Sequence, residues 1–257
     1  MSDEKSLYPG VALVTGGGSG LGKAIARRLI DDGYDVVVTG RDSEKLETAV
    51  SELGEKSIGI QCDSSSEEDV ENLRSKLNEQ NLQVSVLINN AGIGGPGVPL
   101  TEVSATEWDE VFDVNVRGTF LVCKAFIPAM AKRGNGFVLN IASVTGKRPL
   151  INRTPYAASK LAVIGLTNTL AFEVGGSGVM VNTLSPGPIK SERMKNNFER
   201  EARLSGKTPL EVEYEFVSRS ALGRMVALEE VANAASSLLR IPGLTGTDFD
   251  VSGGMIA

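Results

Sequence analysis

Short apolar runs alternate with amphipathic stretches along nearly the whole chain. The run from Val11 to Thr15 has no polar alternation, which is typical of a strand buried on both faces of a parallel sheet. A glycine-rich turn follows, and then Leu21, Ile25 and Leu29 recur at the spacing of one helical face. Strand, glycine turn and helix in this order predict the opening unit of an open α/β fold.

The same pattern continues to the end of the chain and predicts one doubly wound α/β domain built on a parallel sheet. The further predicted strands are Asp35 to Thr39, Ile58 to Cys62, Val84 to Ile88, Phe137 to Ala142, Val179 to Leu184 and Thr247 to Val251. The further predicted helices are Ser43 to Leu53, one after Ser66, Ser104 to about Arg133 closed by Gly134, one through Leu161 to Val174, and Leu228 to Leu239.

Several of these helices carry recognisable start signals. Ser104 with Glu107 three residues later forms a capping box, and Ser66 begins a similar box with aspartate in the third position. Pro155 suits a first helical turn, and Thr154 before it is the expected cap. From Lys190 to Gly223 the periodicity weakens and charge increases, so we expect a mobile substrate lid at about 188–224.

The amino-acid composition and net charge of the chain limit the classes of binding partner to be expected. The 257 residues are 41% hydrophobic, and 26 basic against 32 acidic residues give a net charge of −6, which argues against nucleic acid as a partner. No apolar run reaches transmembrane length and the N-terminus lacks a signal peptide's hydrophobic core, so no membrane partner is expected. Cys62 and Cys123 lie far apart, which predicts reduced thiols in a cytoplasmic protein.

The chain contains no histidine. This excludes a Ser-His-Asp triad, a Cys-His dyad and imidazole-based zinc sites, and we expect no metal site. Proton transfer near neutral pH would then fall to carboxylate, lysine, tyrosine or cysteine. Tyr156 and Lys160 lie one turn apart on a predicted helix face, where an ammonium about 4 Å away stabilises a phenolate by roughly 4 kcal/mol at an effective dielectric near 20. The alternative is a packed tyrosine beside a solvated lysine.

The glycine turn Gly16 to Gly22 has the spacing GxxxGxG, which differs from the commoner GxGxxG. Between a buried strand and a helix it favours binding of a dinucleotide pyrophosphate over a simple tight turn. The second strand ends in Gly40 and Arg41 without a carboxylate at the strand end, so NADP(H) is favoured and NAD(H) remains possible. Arg41 could instead be a solvated loop charge, and the adjacent Asp42 weakens the argument for a 2′-phosphate.

Polar and small residues follow three other strands. Asp63 directly follows the third strand, where it could meet an adenine amine, and small residues after Asn89 would let a flat cofactor lie against the backbone. Ser143 stands at the carboxyl end of the fifth strand, where ligands sit in open α/β sheets. Asn115 lies mid-helix among apolar neighbours, so we expect its amide to make a structural or catalytic hydrogen bond.

Taken together, the motifs of this chain resemble those of the short-chain dehydrogenases/reductases over essentially its whole length. The motifs are, in order, Thr15-Gly16 with Gly20-Leu21-Gly22, Asn89-Asn90-Ala91-Gly92, Asn115, Ser143, Tyr156 with Lys160, and Pro186-Gly187. The resemblance implies a Rossmann-like fold with a seven-stranded parallel sheet, an NAD(P)-dependent oxidoreductase acting on a carbonyl or secondary alcohol, and a homo-oligomer, dimer or tetramer.

The resemblance also implies roles for individual residues. Tyr156 would exchange a proton with the substrate oxygen, Ser143 would hydrogen-bond that oxygen, Lys160 would hold the nicotinamide ribose and assist the tyrosine, and Asn115 would position a relay water. The residues implied to line the cofactor groove are Gly16, Ser19, Gly20, Leu21, Asp63, Asn90, Gly92, Pro186, Gly187 and Ile189. Relatives often carry a threonine shortly after Pro-Gly, whereas the nearest hydroxyl here is Ser191.

Five basic groups cluster near the expected substrate side and suggest a substrate with an anionic tail: Lys147, Arg148, Arg153, Lys190 and Arg193. They could equally point to water, and Leu150, Ile151 and Met194 would suit a small apolar wall. Two other functions stay open, a 3-oxoacyl-carrier-protein reductase and a non-catalytic NADP-binding regulator on the same fold.

Overall fold

The computed structural model describes residues 7–255, apart from the side chains of residues 192, 193 and 204. Its centre is a seven-stranded sheet in the order β3-β2-β1-β4-β5-β6-β7, with every neighbouring pair parallel. The strands are β1 (Val11–Thr15), β2 (Asp35–Gly40), β3 (Ser57–Gln61), β4 (Val84–Asn89), β5 (Gly136–Ile141), β6 (Val179–Pro186) and β7 (Asp248–Val251).

Helices connect the strands and cover both faces of the sheet. They are α1 (Gly20–Asp31), α2 (Ser43–Leu53), α3 (Glu67–Glu79), α4 (Ala105–Phe112), α5 (Gly118–Arg133), α6 (Thr154–Gly175), α7 (Glu192–Ser205), α8 (Pro209–Val217) and α9 (Leu228–Leu238). The predicted Rossmann-like fold, a doubly wound seven-stranded parallel sheet, is confirmed. The predicted strands lie within two residues of the observed ones at either end.

Successive strand residues enter two different cores. Ala12 and Val14 belong to the cluster that α1 and α9 cover, whereas Leu13 belongs to the cluster that α3 and α5 cover. Side chains alternate between the faces of a strand, so a strand apolar at every position is buried on both sides. Successive strands are added outward from β1 in one direction up to β3 and in the opposite direction from β4 onward, and this switch point between β1 and β4 opens a crevice at the carboxyl ends of the strands.

The predicted long helix from Ser104 is interrupted. The capping box of Ser104 and Glu107 is present, and the helix ends at Gly134 in the left-handed conformation with a φ of +70°. Between α4 and α5, however, residues Asp113–Arg117 form a π-helical turn. Such turns insert one extra residue into a helix and are frequent at functional sites.

This helical run also corrects the prediction that no apolar run of the chain reaches transmembrane length. Ala105–Arg133 spans 29 residues with a mean hydropathy of 1.2, so by length and composition it could cross a membrane. Half of its most apolar stretch is buried within the fold, where Leu121, Val122 and Phe126 pack in the core against the sheet. A core helix passes the same test of length and composition.

The predicted cap of α6 is wrong. Thr154 is already the first helical residue, and Arg153 occupies the capping position without a side-chain capping bond. Pro155 does lie in the first turn, where its missing N–H leaves no unpaired donor. The residue that directly precedes α6, the helix that carries Tyr156 and Lys160, is therefore an arginine.

The lid segment is more regular than its sequence suggests. It folds into the helical pair α7 and α8, which packs around its own small core of Phe198, Ala202 and Val212. A second capping box, formed by Thr208 and Glu211, starts α8. The buried apolar residues of α7 and α8 pack against each other in this separate core. The segment therefore lacks the regular periodicity that is expected of a helix lying on the sheet.

Candidate active site

The glycine turn after β1 is shaped by backbone contacts. Gly16 and Gly20 have φ values of +64° and +52°, in the left-handed region that favours glycine. A Cβ on Gly22 would lie 2.3 Å from the carbonyl oxygen of Gly16 and 2.5 Å from Nδ2 of Asn90. This turn and the first turn of α1 are consequently in direct contact, with no space for a side chain.

The N-terminus of α1 is open to an anion. Ser19 occupies the capping position, but its hydroxyl makes no capping bond, so the first N–H groups of the helix are not satisfied by that side chain. A Cβ on Gly20 would meet nothing within 4 Å, which leaves room beside these donors. Free donors and the positive end of the helix dipole fit the pyrophosphate of a dinucleotide.

Asn90 fixes the glycine turn against β4. Its Nδ2 donates to the carbonyl oxygens of Thr15 at 3.0 Å and Gly16 at 3.2 Å. In return, the Thr15 hydroxyl accepts from the backbone N–H groups of Asn90 at 3.0 Å and Ala91 at 3.1 Å. The two loops on either side of the switch point are thereby joined into one surface, and Leu21 in the first turn of α1 packs against the hydrophobic core.

At the end of β2, an exposed arginine lies next in sequence to an aspartate that is paired with Lys45. The Asp42 carboxylate accepts from the backbone N–H of Lys45 at 3.1 Å and pairs with its ammonium at 2.8 Å, capping α2. Hydrogen bonding to Lys45, the largest cause, holds the pKa of Asp42 below its usual value. Arg41 is exposed, and among the described residues no carboxylate lies within 4.0 Å of its guanidinium.

Arg41 borders an open cavity of about 430 Å³ between the end of β3 and α3. Gln61, Asp63 and Lys76 line the same cavity. The Asp63 carboxylate accepts from the backbone N–H and the hydroxyl of Ser65, at 2.9 and 2.7 Å. Lys76 is a second cation near the Arg41 position that sequence reasoning missed, since it lies on α3 one element later.

The π-helical turn directs Asn115 at the loop after β4. Its Oδ1 accepts from the backbone N–H of Ile93 at 2.8 Å, and its Nδ2 donates to the Ile93 carbonyl and to the Ser159 hydroxyl, both at 3.0 Å. The buried amide thus joins this loop to α6, which agrees with the hydrogen bonding expected of it. A Cβ on Gly92 would lie 3.0 Å from Oδ1 of Asn115 and 3.4 Å from Nζ of Lys160.

The segments that carry Ser143, Tyr156 and Lys160 pack together where β5 ends against the first turns of α6. The single turn Val144–Gly146 follows Ser143 and packs on the α6 backbone, since a Cβ on Gly146 would lie 2.9 Å from the Leu161 nitrogen. The Ser143 hydroxyl accepts from the Thr145 N–H at 3.2 Å.

On the facing turn of α6, Tyr156 is half-buried and Lys160 is buried. The Lys160 ammonium donates to the Ile141 carbonyl at 2.8 Å and lies 5.8 Å from the centroid of the Tyr156 ring. A hydroxyl, a phenol and an ammonium therefore lie on adjoining elements.

The end of β6 closes the crevice from the other side. Gly187 donates its N–H to the Val251 carbonyl at 2.9 Å, and a Cβ on it would lie 2.7 Å from Cα of Ser252. Ile189, just beyond Pro186 and Gly187, pairs with Val226 in an isolated parallel bridge. The Ser191 hydroxyl accepts from the Met194 N–H at 3.4 Å and caps α7.

Behind these loops runs a buried polar chain that joins three elements. The Asn89 Nδ2 donates to Oδ1 of Asn140 at 2.8 Å, and the Asn140 Nδ2 donates to the Thr167 hydroxyl at 2.8 Å. Asn89 also donates to the sulfur of Cys123 at 3.2 Å. Burial raises the pKa of the Cys123 thiol, like that of Cys62, to about 12, so both thiols are protonated and unreactive at neutral pH.

The five basic side chains that the sequence suggested for an anionic substrate differ in their pairing and exposure in the structure. Lys147 pairs with Asp248 at 2.7 Å and with Asp250, so its charge is neutralised and cannot serve an anionic substrate. Lys190 is exposed, Arg148 is half-buried, and the side chain of Arg193 lies outside the described residues. Arg153 lies beside the loop after β4, where its Nη1 donates to the Gly95 carbonyl at 3.2 Å.

Sequence reasoning missed Arg200, which approaches the same loop from α7. It lies far along the chain from Arg153, and only the folding of the lid segment brings the two together. Of the suggested apolar wall, Ile151 is 87% exposed, whereas Met194 packs against the core of the helical pair. Among the described residues, no cluster of three or more cysteine, aspartate or glutamate side chains could hold a metal ion.

Comparison with known proteins shows which families and structures this chain is similar to. A family model described as short chain dehydrogenase matches residues 10–202. A Streptomyces coelicolor protein named as a ketoacyl reductase is 36% identical over 253 residues, covering 95% of this chain and 96% of its own.

Two solved structures are similar over nearly their full length. A variant actinorhodin polyketide ketoreductase, determined with NADPH, has a TM-score of 0.90 and 35% identity, and the match covers 96% of this chain and 97% of that one. A xylitol dehydrogenase with bound NAD+ also has a TM-score of 0.90, with 29% identity, and the match covers 97% of this chain and 100% of that one.

Proposed function

The chain belongs to the short-chain dehydrogenases, NAD(P)-dependent oxidoreductases, and from this premise we propose that it reduces a carbonyl to a secondary alcohol with NADP(H). The observation that carries the proposal is the buried Lys160 ammonium, which lies 5.8 Å from the centroid of the Tyr156 ring and donates to the Ile141 carbonyl at the end of β5, the strand that Ser143 follows. When bound there, the nicotinamide cofactor supplies or accepts a hydride.

The proton chemistry belongs to this chain's own residues. Ser143 donates a hydrogen bond to the substrate oxygen and orients it. Tyr156 gives its phenolic proton to that oxygen during reduction and takes a proton back during oxidation. The Lys160 ammonium stabilises the resulting phenolate and contacts the ribose, and Asn115 holds the loop against which a relay water connects Lys160 to solvent.

The cofactor groove we propose follows the crevice. The N–H groups at the start of α1, with Gly16, Ser19, Gly20 and Leu21, hold the pyrophosphate, and Asp63 meets the adenine. The groove is completed along the loops by Asn90, Gly92, Pro186, Gly187 and Ile189.

We infer a preference for NADP(H) over NAD(H) from the end of β2. The only acidic side chain beside Arg41 in sequence, Asp42, is already committed to capping α2, and Lys76 adds a second cation to the cavity that Arg41 borders. A planar guanidinium binds a 2′-phosphate well, whereas an NAD-binding site needs a carboxylate for the ribose hydroxyl. The neighbouring structures include both cofactors, so the preference depends on these residues.

A second candidate substrate class comes from the relatives. A protein named as a ketoacyl reductase and a polyketide ketoreductase are both similar over nearly the whole chain, which favours a 3-oxoacyl thioester. Activity on acetoacetyl thioesters of coenzyme A or a carrier protein, compared with free ketones, separates the two classes. In either case the helical pair at 188–224 closes over the substrate.

We also propose a homo-oligomer, a dimer or tetramer, that forms through α5 and α6. Three large apolar side chains on these helices are exposed: Phe120 at 47%, Leu161 at 54% and Phe172 at 90%. Exposed large apolar side chains on long helices are candidates for an interface between subunits. Sedimentation of Phe172→Glu should show smaller species than the wild type.

The decisive experiment follows NADPH and NADH oxidation over a panel of ketones, with Tyr156→Phe as the test variant. We expect Tyr156→Phe to lose about 1000-fold or more in kcat, because the proton donor is absent. Tyr214→Phe, which removes the same hydroxyl from an exposed lid position, is the matched control. Full activity of Tyr156→Phe would refute the proposal, and tight NADPH binding without turnover of any carbonyl or alcohol would favour the regulator instead.

A further inference from the structure

One aspartate on β7 contacts side chains from two separate loops. Oδ1 of Asp248 accepts a hydrogen bond from the Ser185 hydroxyl at 2.7 Å, and its Oδ2 lies 2.7 Å from Nζ of Lys147. Ser185 is fully buried near the end of β6, and the side chain of Asp248 is 13% exposed. The carboxylate therefore links the chain just after Ser143 to the strand end just before Pro186.

The lysine contact of Asp248 lies at the end of the turn that carries Ser143. The backbone N–H of Lys147 donates to the Val144 carbonyl at 3.0 Å, and the N–H of Gly146 donates to the Ser143 carbonyl at 3.0 Å. One face of this turn packs against the backbone of α6. The turn is thus held by the helix along its side and by the ion pair with β7 at its end.

The serine contact of Asp248 lies at the start of the loop after β6. Pro186 and Gly187 follow Ser185 directly, and this loop packs closely on the chain after β7. A second aspartate, Asp250, also pairs with the lysine, but within the described residues it makes no hydrogen bond to the Ser185 hydroxyl. Asp248 is consequently the carboxylate that both loops share, and Asp250 is a natural comparison for it.

We propose that Asp248 is a positioning residue that holds two loops of the crevice in one frame. Through Lys147 it fixes the turn that presents the Ser143 hydroxyl to the substrate oxygen, and through Ser185 it fixes the loop that lines the cofactor groove. This inference rests on the proposed reductase function and deepens it. Small displacements of the groups that orient a substrate lower the rate steeply, so the shared carboxylate acts on the reaction without contacting the reacting atoms.

Steady-state kinetics with NADPH and the best ketone substrate of the wild type test the lysine contact. Lys147→Met keeps a side chain of similar length and removes the ammonium. We expect kcat to fall about tenfold and KM to change less than about twofold, because Ser143 still meets the substrate oxygen but orients it less well. Lys147→Arg should recover most of the loss, since a guanidinium can pair with both carboxylates. A role in stability alone would leave kcat per folded enzyme unchanged.

Lys124→Met is the matched control, since it breaks a lysine–glutamate pair between α5 and α3, outside both loops, and should retain the wild-type kcat. Equal losses of kcat in Lys147→Met and Lys124→Met overturn the inference, because any lost ion pair would then have the same effect. An unchanged kcat in Lys147→Met overturns it as well.

The two aspartates distinguish a shared anchor from a simple ion pair. Asp248→Asn and Asp250→Asn each remove one negative charge beside Lys147, but only the first also removes the charged acceptor of the Ser185 hydroxyl. We expect Asp248→Asn to weaken NADPH binding about threefold or more in a fluorescence titration, in addition to lowering kcat. Asp250→Asn should leave the NADPH dissociation constant unchanged. Equal NADPH affinities in the two variants overturn the assignment to Asp248.

Hydrogen exchange tests the anchoring of the turn without any turnover. The N–H groups of Gly146 and Arg148 donate to backbone carbonyls of the turn, so they exchange when the turn opens. In Lys147→Met their protection should fall about tenfold while that of α6 is retained, and unchanged protection overturns the inference.

Turnover by the wild type separates this inference from the proposal beneath it. A wild type that reduces ketones, with an unchanged kcat in Lys147→Met, overturns the positioning role and leaves the reductase standing. A wild type that reduces no ketone overturns the reductase. In that case lost protection of the turn in Lys147→Met, together with weaker NADPH binding in Asp248→Asn, leaves the shared anchor standing.

Discussion

The two sides of the crevice are built in opposite ways. On the cofactor side, the glycine turn, Asn90 and the start of α1 touch through backbone atoms and small residues, next to strands buried on both faces. On the proposed substrate side, charged side chains approach from loops and from the helical pair, which has a separate small core. The cofactor side consequently has little tolerance for added atoms, whereas side-chain identity decides what the substrate side binds.

The strongest test of this contrast adds one methyl group to each side. Gly22→Ala places a Cβ 2.3 Å from the Gly16 carbonyl oxygen, so the turn must move, and we expect NADPH affinity to fall about 100-fold or more. Gly206→Ala in the lid meets nothing within 4 Å and bears only the strain of a φ of +71°, about 1 to 2 kcal/mol. Fluorescence titration with NADPH measures both, and similar losses in the two variants would contradict the contrast.

The next prediction concerns the polar chain behind the cofactor loops. Asn140→Ala removes one hydrogen bond from the Asn89 amide and one from the Thr167 hydroxyl and empties a fully buried position, so we expect the free energy of unfolding to fall by about 2 to 4 kcal/mol. Urea denaturation measures the change. The exposed Asn78→Ala should stay within about 0.5 kcal/mol of the wild type, and a comparable effect there would show that burial is not the cause.

Cofactor choice should yield a smaller effect, since it depends on exposed side chains. Arg41→Ala should lower the preference for NADPH over NADH about tenfold, because one charge-assisted contact to the 2′-phosphate is lost. Lys56→Ala removes an equal charge at the opposite end of β3 and serves as the control. An unchanged ratio of the two dissociation constants in Arg41→Ala would remove the basis for NADP(H).

The smallest effect is expected where Lys147 joins the loop after β5 to β7. Burial lowers the Lys147 pKa, but the Asp248 and Asp250 carboxylates outweigh it, so the net shift is upward from 10.5. A raised lysine pKa stabilises the fold below pH 10.5, and this contribution is lost as the pH rises through the folded pKa. Lys147→Met should therefore cost less than about 1 kcal/mol at pH 7. Urea denaturation from pH 7 to 11 checks this, and a difference that grows towards pH 11 would contradict the assignment.

The sequence was most informative where structure depends on local burial and backbone geometry. The bounds of β1 and α2 were predicted without error, because a continuous apolar strand and an amphipathic helix leave few alternatives. The glycine turn and the Ser104 capping box were recognisable for the same reason. In each case the determining residues are neighbours along the chain.

Predictions failed where contacts join distant segments. The ion pairs of Lys147 with Asp248 and Asp250 could not be predicted from residues near Lys147, because the two aspartates lie about a hundred residues later in the chain. Lys147 was therefore wrongly included among the basic groups open to a substrate. Arg200 was overlooked because its position depends on how α7 and α8 pack on each other. The cap of α6 was misplaced by one residue, since Thr154 is equally acceptable as a cap or as a first helical residue.

The π-helical turn at Asp113–Arg117 has a consequence for chain length. One residue corresponds to a rotation of about 100° and a rise of about 1.5 Å in an α-helix. Deleting a single residue here would restore a continuous helix and swing Asn115 away from Ile93, or else turn the buried face of α5 out of the core. The number of residues between Ser104 and Gly134 is thus as much a determinant of the site as their identity, and alignments that place a gap in this interval would mark proteins with a different loop after β4.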